Sequence, residues 1–399
     1  MSVKPKIYTE DDHHIRNDLI DHNALLVLKK LHEAGFEAYL VGGGVRDLLM
    51  RKQPKDFDIS TSAKPEEIKP LFRRCFLIGR RFRLAHVRFG RQVIEVSTFR
   101  SAETQQEELV VQDNIWGSAE QDALRRDFTI NGLFFDPLDH KIIDYVGGFE
   151  DLKEHTLRVI GDPTMRFVQD PVRMLRMQKF QARFGFHVEP SAMEALKASR
   201  QEIAKSSKAR VLEELLRMLE SASALPFFEL LQESGLLEAI FATFAETLDS
   251  EIGKKIFAYL RAIDQMHQAS KRGPLDRTIL TAALVFPIID AKIMQMEPAP
   301  HMGQIIDICY DTIDDFFAKG FPHFPRKLRI GAHFITQMQY RMLPPDRKRR
   351  PKKRIAHHKH FIEALMFLKV RSLVEPKLFN RYEYWKGVYR QFKEEKEDG

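Results

Sequence analysis

Two cysteines in 399 residues, Cys75 and Cys309, are too few for a disulfide scaffold or a cysteine-rich zinc site, and they suit a reducing compartment. No apolar run approaches the about 20 residues needed to span a bilayer. The opening stretch MSVKPKIYTEDDHH is polar and lacks the apolar core of a signal peptide, so a cytoplasmic protein is expected. The dinucleotide fingerprint G-x-G-x-x-G is also missing, which argues against a nicotinamide-dependent enzyme. No internal repeat is visible. The content that is present, 44% hydrophobic and 30% charged residues, describes a soluble globular chain with material for real cores. Its length calls for two or three domains. A formal net charge of +7 points toward a polyanionic partner such as nucleic acid, although many soluble proteins are mildly basic.

Residues 1–16 read as a polar, flexible lead-in. Apolar residues recur at helical spacing from Asn17 to Ala34, and Gly35 then breaks the pattern before the short apolar strand EAYLV. The runs FDIS, CFLIG, LAHVRF and QVIEVSTF read as strands, with a helix beginning near KPEEIKPLF. Residues 101–120 are poorly patterned and read mostly as a mobile loop. Beyond Phe149 the strand signals fade, and leucine, methionine and phenylalanine recur at helical spacing. Those Met and Phe stripes are expected to pack a core rather than to bind a cofactor. The expected fold is α+β: a small mixed-sheet head over 17–148, a helical neck over 149–220, and a helical body and tail over 221–399. The run DRKRRPKKR, from Asp346 to Arg354, is the densest positive stretch. It is either a solvated loop or a phosphate-backbone contact.

The stretch YLVGGGVRDLLMRKQPKDFDIS carries the first chemistry. A strand, a glycine turn and a helix offer free backbone N–H groups to a phosphate, so Gly43, Gly44 and Arg46 are candidates for holding a triphosphate. A tight turn with no ligand fits the glycines alone equally well. The aspartates that follow add weight. Residues two apart on a strand share a face, so Asp56 and Asp58 should project together while Phe57 and Ile59 enter a core. Paired carboxylates repel unless a cation lies between them, and hard oxygen donors suit Mg²⁺, or Mn²⁺ in its place. A phosphate loop beside a carboxylate pair is what metal-assisted nucleotidyl transfer needs. Glu95, on the strand QVIEVSTF, is either a third carboxylate or a glutamate in a lone salt bridge.

Three ordered stretches, LVGGGVRDLLMRKQPKDFDIS, RRDFTINGLFF and DPVRMLRMQKFQARFGF, resemble the motifs of the class II nucleotidyltransferases in the polymerase-beta superfamily. That family contains bacterial poly(A) polymerases and tRNA CCA-adding enzymes. The resemblance covers roughly residues 35–215. It implies a catalytic head followed by helical neck, body and tail, with ATP as substrate and an RNA 3′ end as partner. It also implies that Arg125, Arg126 and Asp127 face the ribose and triphosphate, with Asp127 a candidate member of the acidic cluster; a surface ion pair is the plain alternative. Asp170 and Arg173 lie three apart near a helix start, where Asp170 would cap the helix and Pro171 open it. Together they can meet the amine-plus-acceptor edge shared by adenine and cytosine, an edge that uracil and guanine lack. By the same resemblance Arg176 and Lys179 face the nucleotide. Gln169 stands where the family usually has an acid, and Lys179 where it usually has arginine.

LIGRRFRLAHV resembles the poly(A) branch, with Arg80, Arg81 and Arg83 adding charge near the nucleotide or primer; a basic strand edge explains them as well. The basic residues Arg347, Lys348, Arg349, Arg350, Lys352, Lys353 and Arg354 would grip single-stranded RNA without reading it. The expected activity is template-independent addition of AMP to RNA 3′ ends. CCA addition is the alternative, and a catalytically silent RNA-binding protein is a third reading, which the intact Asp56 and Asp58 disfavour.

Overall fold

The computed structural model describes residues 4–79, 84–101, 116–270, 273–343 and 353–397. It divides into two compact units, residues 1–166 with 186–195, and residues 167–185 with 196–399. The expected break at residue 148 therefore lies inside the first unit.

The first unit is built on an eight-stranded mixed sheet. Its strands are β1 (Lys6–Tyr8), β2 (Ala38–Val41), β3 (Asp58–Thr61), β4 (Cys75–Ile78), β5 (Leu84–Phe89), β6 (Gln92–Thr98), β7 (Leu133–Asp136) and β8 (Lys141–Asp144). They lie in the order β1-β8-β7-β2-β3-β6-β5-β4. Only β3 and β6 run parallel within it. The helices of this unit are α1 (Glu10–His13), α2 (His22–Glu33), α3 (Gly43–Leu49), α4 (Pro65–Leu71), α5 (Ala119–Leu124) and α6 (Gly148–Lys153).

One sheet face carries the main core, in which Leu40, Ile59, Val87, Ile94, Val96 and Phe135 meet Val27, Leu31 and Ile68 from the helices. Period-two alternation in β3 and β6 sends the intervening residues to the other face. On that face a smaller cluster of Val41, Phe99, Ala119, Ala123 and Phe134 covers one part.

Three expectations shift here. The lead-in is not loose, because Lys6–Tyr8 pairs antiparallel with β8 and Tyr8 stacks on Phe149. The first long helix starts later than its apolar pattern, because Asp21 caps it by accepting from the Asn23 and Ala24 N–H groups. Residues 117–120 are ordered, with Gly117 N–H bonded to the Phe99 carbonyl and Ser118 capping α5; residues 102–115 of that expected loop lie outside the described residues.

A small parallel ladder joins β9 (Thr156–Leu157) and β10 (His187–Val188), so strands do extend past residue 149. The helices from there on are α7 (Pro163–Gln169), α8 (Val172–Phe184), α9 (Pro190–Ser199), α10 (Lys208–Leu219), α11 (Ala224–Glu233), α12 (Leu236–Leu248), α13 (Glu251–Ala269), α14 (Arg277–Met294), α15 (Met302–Gly320), α16 (Arg326–Met342), α17 (Phe361–Val374) and α18 (Phe379–Glu397). Phenylalanines 227, 228, 286, 361 and 367 are fully buried in the second unit, so the aromatic stripes do pack a core. No helix among the described residues is long and apolar enough to cross a membrane.

Candidate functional site

Val41 pairs with Asp58 in the register of β2 and β3. The chain therefore leaves β2 directly beside the carboxylate strand and turns into α3 at Gly42. That turn holds Gly42 at φ +68° and ψ −134°, a region essentially closed to residues with a Cβ. Gly44 packs on the next segment, where an added Cβ would come within 3.3 Å of the Asp56 carbonyl oxygen. The glycines thus bring the start of α3 against the aspartate pair. Phe57 and Ile59 are buried in the core while Asp56 and Asp58 are exposed, with Asp58 opening β3 and Asp56 just ahead of it.

Asp58 lies opposite Glu95 on β6, and Glu95 opposite His86 on β5. The His86 Nε2 stands 3.5 Å from a Glu95 carboxylate oxygen. Although the Asp58 side chain reaches solvent, the protein packed around it, then the negative charges of Glu95 and Asp56, push its carboxyl up to about 6; Arg126 opposes them. Glu95 thus stands opposite Asp58 on one side and His86 on the other. Among the described residues no group of three or more His, Cys, Asp or Glu side chains is placed to hold a metal ion. A pair of carboxylates is a donor set that suits Mg²⁺, which keeps part of its coordination for substrate phosphates.

Positive charge gathers next to this group. Asp122, fully buried on α5, accepts from Arg125 Nε at 2.8 Å and Arg126 at 2.9 Å, and also from the Arg100 backbone N–H at 3.3 Å. Burial alone would raise the Asp122 carboxyl, but Arg126 and Arg125 outweigh it and hold it low. Arg100 is pushed down to about 10 by burial and then by Arg125, with Arg126 adding to the effect. Three guanidiniums thus act around one buried carboxylate. Arg126 also reaches Ser60 Oγ at 3.4 Å and the Asn131 carbonyl at 3.3 Å. It sits under the glycine turn, where a Cβ on Gly42 would meet it at 3.4 Å.

Arg46 is placed differently from its expected role. It is buried, donating to Asp47 at 2.7 Å and to the Asn131 Oδ1 at 2.7 Å. The Asn131 amide in turn donates to Asp127, whose Oδ1 also accepts from the Phe128 N–H. Arg46 therefore braces the turn and the Asp127 loop from below. Asp127 is anchored in that network, and the charges acting on Asp58 are Glu95, Asp56 and Arg126.

In the second unit, Pro171 rather than Asp170 occupies the cap position of α8, one residue later than expected. Asp170 is instead held by Arg210, whose Nη2 lies 2.9 Å from one of its carboxylate oxygens, and its backbone carbonyl accepts from the Arg173 N–H. Arg176 and Lys179 converge on one buried carboxylate, Glu214, at 3.3 and 2.6 Å. Burial would raise Glu214, but Lys179 and then Arg176 hold it below the usual carboxylate range.

Arg80, Arg81, Arg83, Arg347, Lys348, Arg349, Arg350 and Lys352 lie outside the described residues, as does the side chain of Lys353. Arg354 is exposed and lines a cleft of about 520 Å³ with Arg341, Phe334, His357 and His358. Sequence reasoning did not single out Arg100, Asp122, Ser60, Asn131, Arg210 or Glu214. The partners of Arg100, Ser60, Arg210 and Glu214 lie on other elements, so no local spacing marks them, whereas Asp122 stands three and four residues before Arg125 and Arg126, a helical spacing that does.

The glycine turn and the carboxylate strand thus lie side by side on one sheet. The "Poly A polymerase head domain" matches residues 38–158, and the "Probable RNA and SrmB- binding site of polymerase A" matches residues 185–248. Poly(A) polymerase I of Salmonella typhimurium is 38% identical over 387 residues, spanning 92% of this chain and 82% of that protein. A CCA-adding enzyme of Lactobacillus helveticus is 35% identical over 258 residues, 61% of this chain and 64% of that protein. A solved tRNA nucleotidyltransferase, complexed with a primer tRNA and an incoming ATP analogue, shares the fold with a TM-score of 0.62 at 24% identity, covering 92% of this chain and 99% of that one. The chain belongs to the nucleotidyltransferase family of the bacterial poly(A) polymerases.

Proposed function

We propose that the chain adds AMP from ATP to the 3′ ends of RNA without a template and releases pyrophosphate, working in the cytoplasm. The observation that carries this reading is the register that sets Asp58 beside Glu95, with Asp56 next to it and the glycine turn against both. The poly(A) branch is favoured over CCA addition because likeness to poly(A) polymerase I runs over 92% of the chain, against 61% for the CCA-adding relative.

The backbone N–H groups at the start of α3 face the triphosphate, and Arg126 with Arg125 supplies positive charge beside them. Arg46 and Asn131 keep the turn and Asp127 in place, and Asp127 with Arg126 addresses the ribose. Asp56 and Asp58 would hold Mg²⁺, or Mn²⁺, with Glu95 close by. Such cations, when bound, acidify the attacking 3′-hydroxyl and neutralise charge on the departing pyrophosphate. Asp170, steadied by Arg210, and Arg173 select the adenine edge. Arg176 and Lys179, held together by Glu214, face the nucleotide.

The test is primer extension with a short RNA and Mg²⁺, offering ATP alone or CTP alone. A long ladder with ATP and little product with CTP is expected. A stop after a few additions that needs both nucleotides and a tRNA-like end would move the chain to CCA addition. Asp56→Ala should abolish transfer and leave RNA affinity nearly intact; comparable activity in that variant would remove the metal assignment.

A further inference from the structure

The sheet face that carries Asp58 and Glu95 continues outward to the edge strand β4. Phe76 lies opposite His86, His86 opposite Glu95, and Glu95 opposite Asp58. Four strands thus place one residue each in a single row. On one side of the row, Arg88 stands opposite Arg74, to whose carbonyl it donates its N–H, and opposite Val93. On the other side, Ile78 stands opposite Leu84.

The alternate residues Cys75, Ala85, Val87, Ile94 and Val96 all fill the core on the opposite face. On this face His86 and Leu84 are half-buried, while Phe76 at 53%, Ile78 at 48% and Val93 at 39% are exposed, together with Arg74 and Arg88. Large apolar side chains on an edge strand are a liability that folds ordinarily suppress, and gathered in a patch they mark a binding surface.

The chemistry of the patch selects its occupant. An aromatic face, apolar neighbours and two guanidiniums are what a single-stranded nucleic acid needs, for stacking and for phosphate contact. The other end of the row is the carboxylate group where, on the reading above, the RNA 3′ end is extended. Strands about 4.8 Å apart put Phe76 about 14 Å from Asp58, within reach of the nucleotides just behind that end. We propose that this outer sheet face seats the terminal nucleotides of the RNA primer, with Phe76 as the stacking platform and Arg74 and Arg88 as the phosphate contacts.

The test is steady-state extension of a short oligoadenylate by the full chain with Mg²⁺, comparing wild type with Phe76→Ala, Phe76→Trp and the Arg74→Gln/Arg88→Gln pair. Phe76→Ala should raise the primer KM by about tenfold or more while the ATP KM stays unchanged. Phe76→Trp should restore the primer KM, which a merely structural role for Phe76 would not predict. The arginine pair should raise the primer KM and flatten its dependence on salt. An unchanged primer KM in Phe76→Ala overturns the proposal, as does an equal rise in both KM values. So does a loss of self-association on gel filtration, which would make β4 an edge for a second copy. Elongation by wild type in the same assay separates the two readings: without it the proposed function fails, whereas with it and an unaffected Phe76→Ala only the platform fails.

Discussion

At the scale of single residues, the head and the helical unit handle buried charge in the same way. Each sets one buried carboxylate among several cations, Asp122 among arginines and Glu214 between Arg176 and Lys179. Such an arrangement is neutral or better only while the carboxylate is ionised. Because the Glu214 carboxyl is held below its ordinary value of 4.5, the stabilisation it contributes is fully present above that value and is lost as the pH falls through the lowered folded value. Glu214→Gln should therefore cost about 2 kcal/mol at neutral pH by leaving two cations without their partner. Thermal unfolding of wild type and variant at pH 7 and near pH 3 checks this. The gap should close in acid, and a gap that persists would assign the effect to packing.

At the scale of elements, the decisive piece is the turn between β2 and α3. Gly42→Ala would force a Cβ into a backbone region that costs about 2 kcal/mol and press it toward the Arg126 guanidinium. Such a variant should be less stable and show a raised ATP KM with the primer KM little changed; parallel changes in both constants would mean that the turn serves the whole head. This turn was legible in the sequence because glycines and a period-two pair of aspartates leave strong local marks. The carboxylate face followed from the same parity, as did the helical second half from its leucine and phenylalanine spacing. Strand β1 and the β9–β10 ladder were not legible, since two or three residues give too little alternation to count. The contacts of Arg46 were not legible for a related reason. Its place three residues into the glycine motif suggests a phosphate ligand, whereas Asn131, 85 positions away, draws it beneath the turn. Arg100, Arg210 and Glu214 likewise acquire meaning only when distant elements meet.

At the scale of the whole molecule, the surplus of positive charge must be divided between holding ATP and holding RNA. The guanidiniums around Asp122 sit in the head beside the glycine turn, where on the proposed reading they serve the nucleotide. The basic run from Arg347 to Arg354 is the densest positive stretch in the chain, and the family match to an RNA-binding segment falls elsewhere, on residues 185–248. A phosphate-contacting run makes a specific prediction. Replacing Arg347, Lys348, Arg349 and Arg350 with glutamine should weaken binding to single-stranded RNA of any sequence by a similar factor. It should also make the logarithm of affinity fall less steeply with the logarithm of salt, by about 0.7 for each phosphate contact removed. The ATP KM and the rate at saturating primer should stay as in wild type, because none of these residues belongs to the carboxylate row or the glycine turn. Titration of a labelled oligoadenylate at a series of salt concentrations measures the slope directly. An unchanged slope would make the run a solvated loop and leave the helical unit and the head's outer face to hold the RNA.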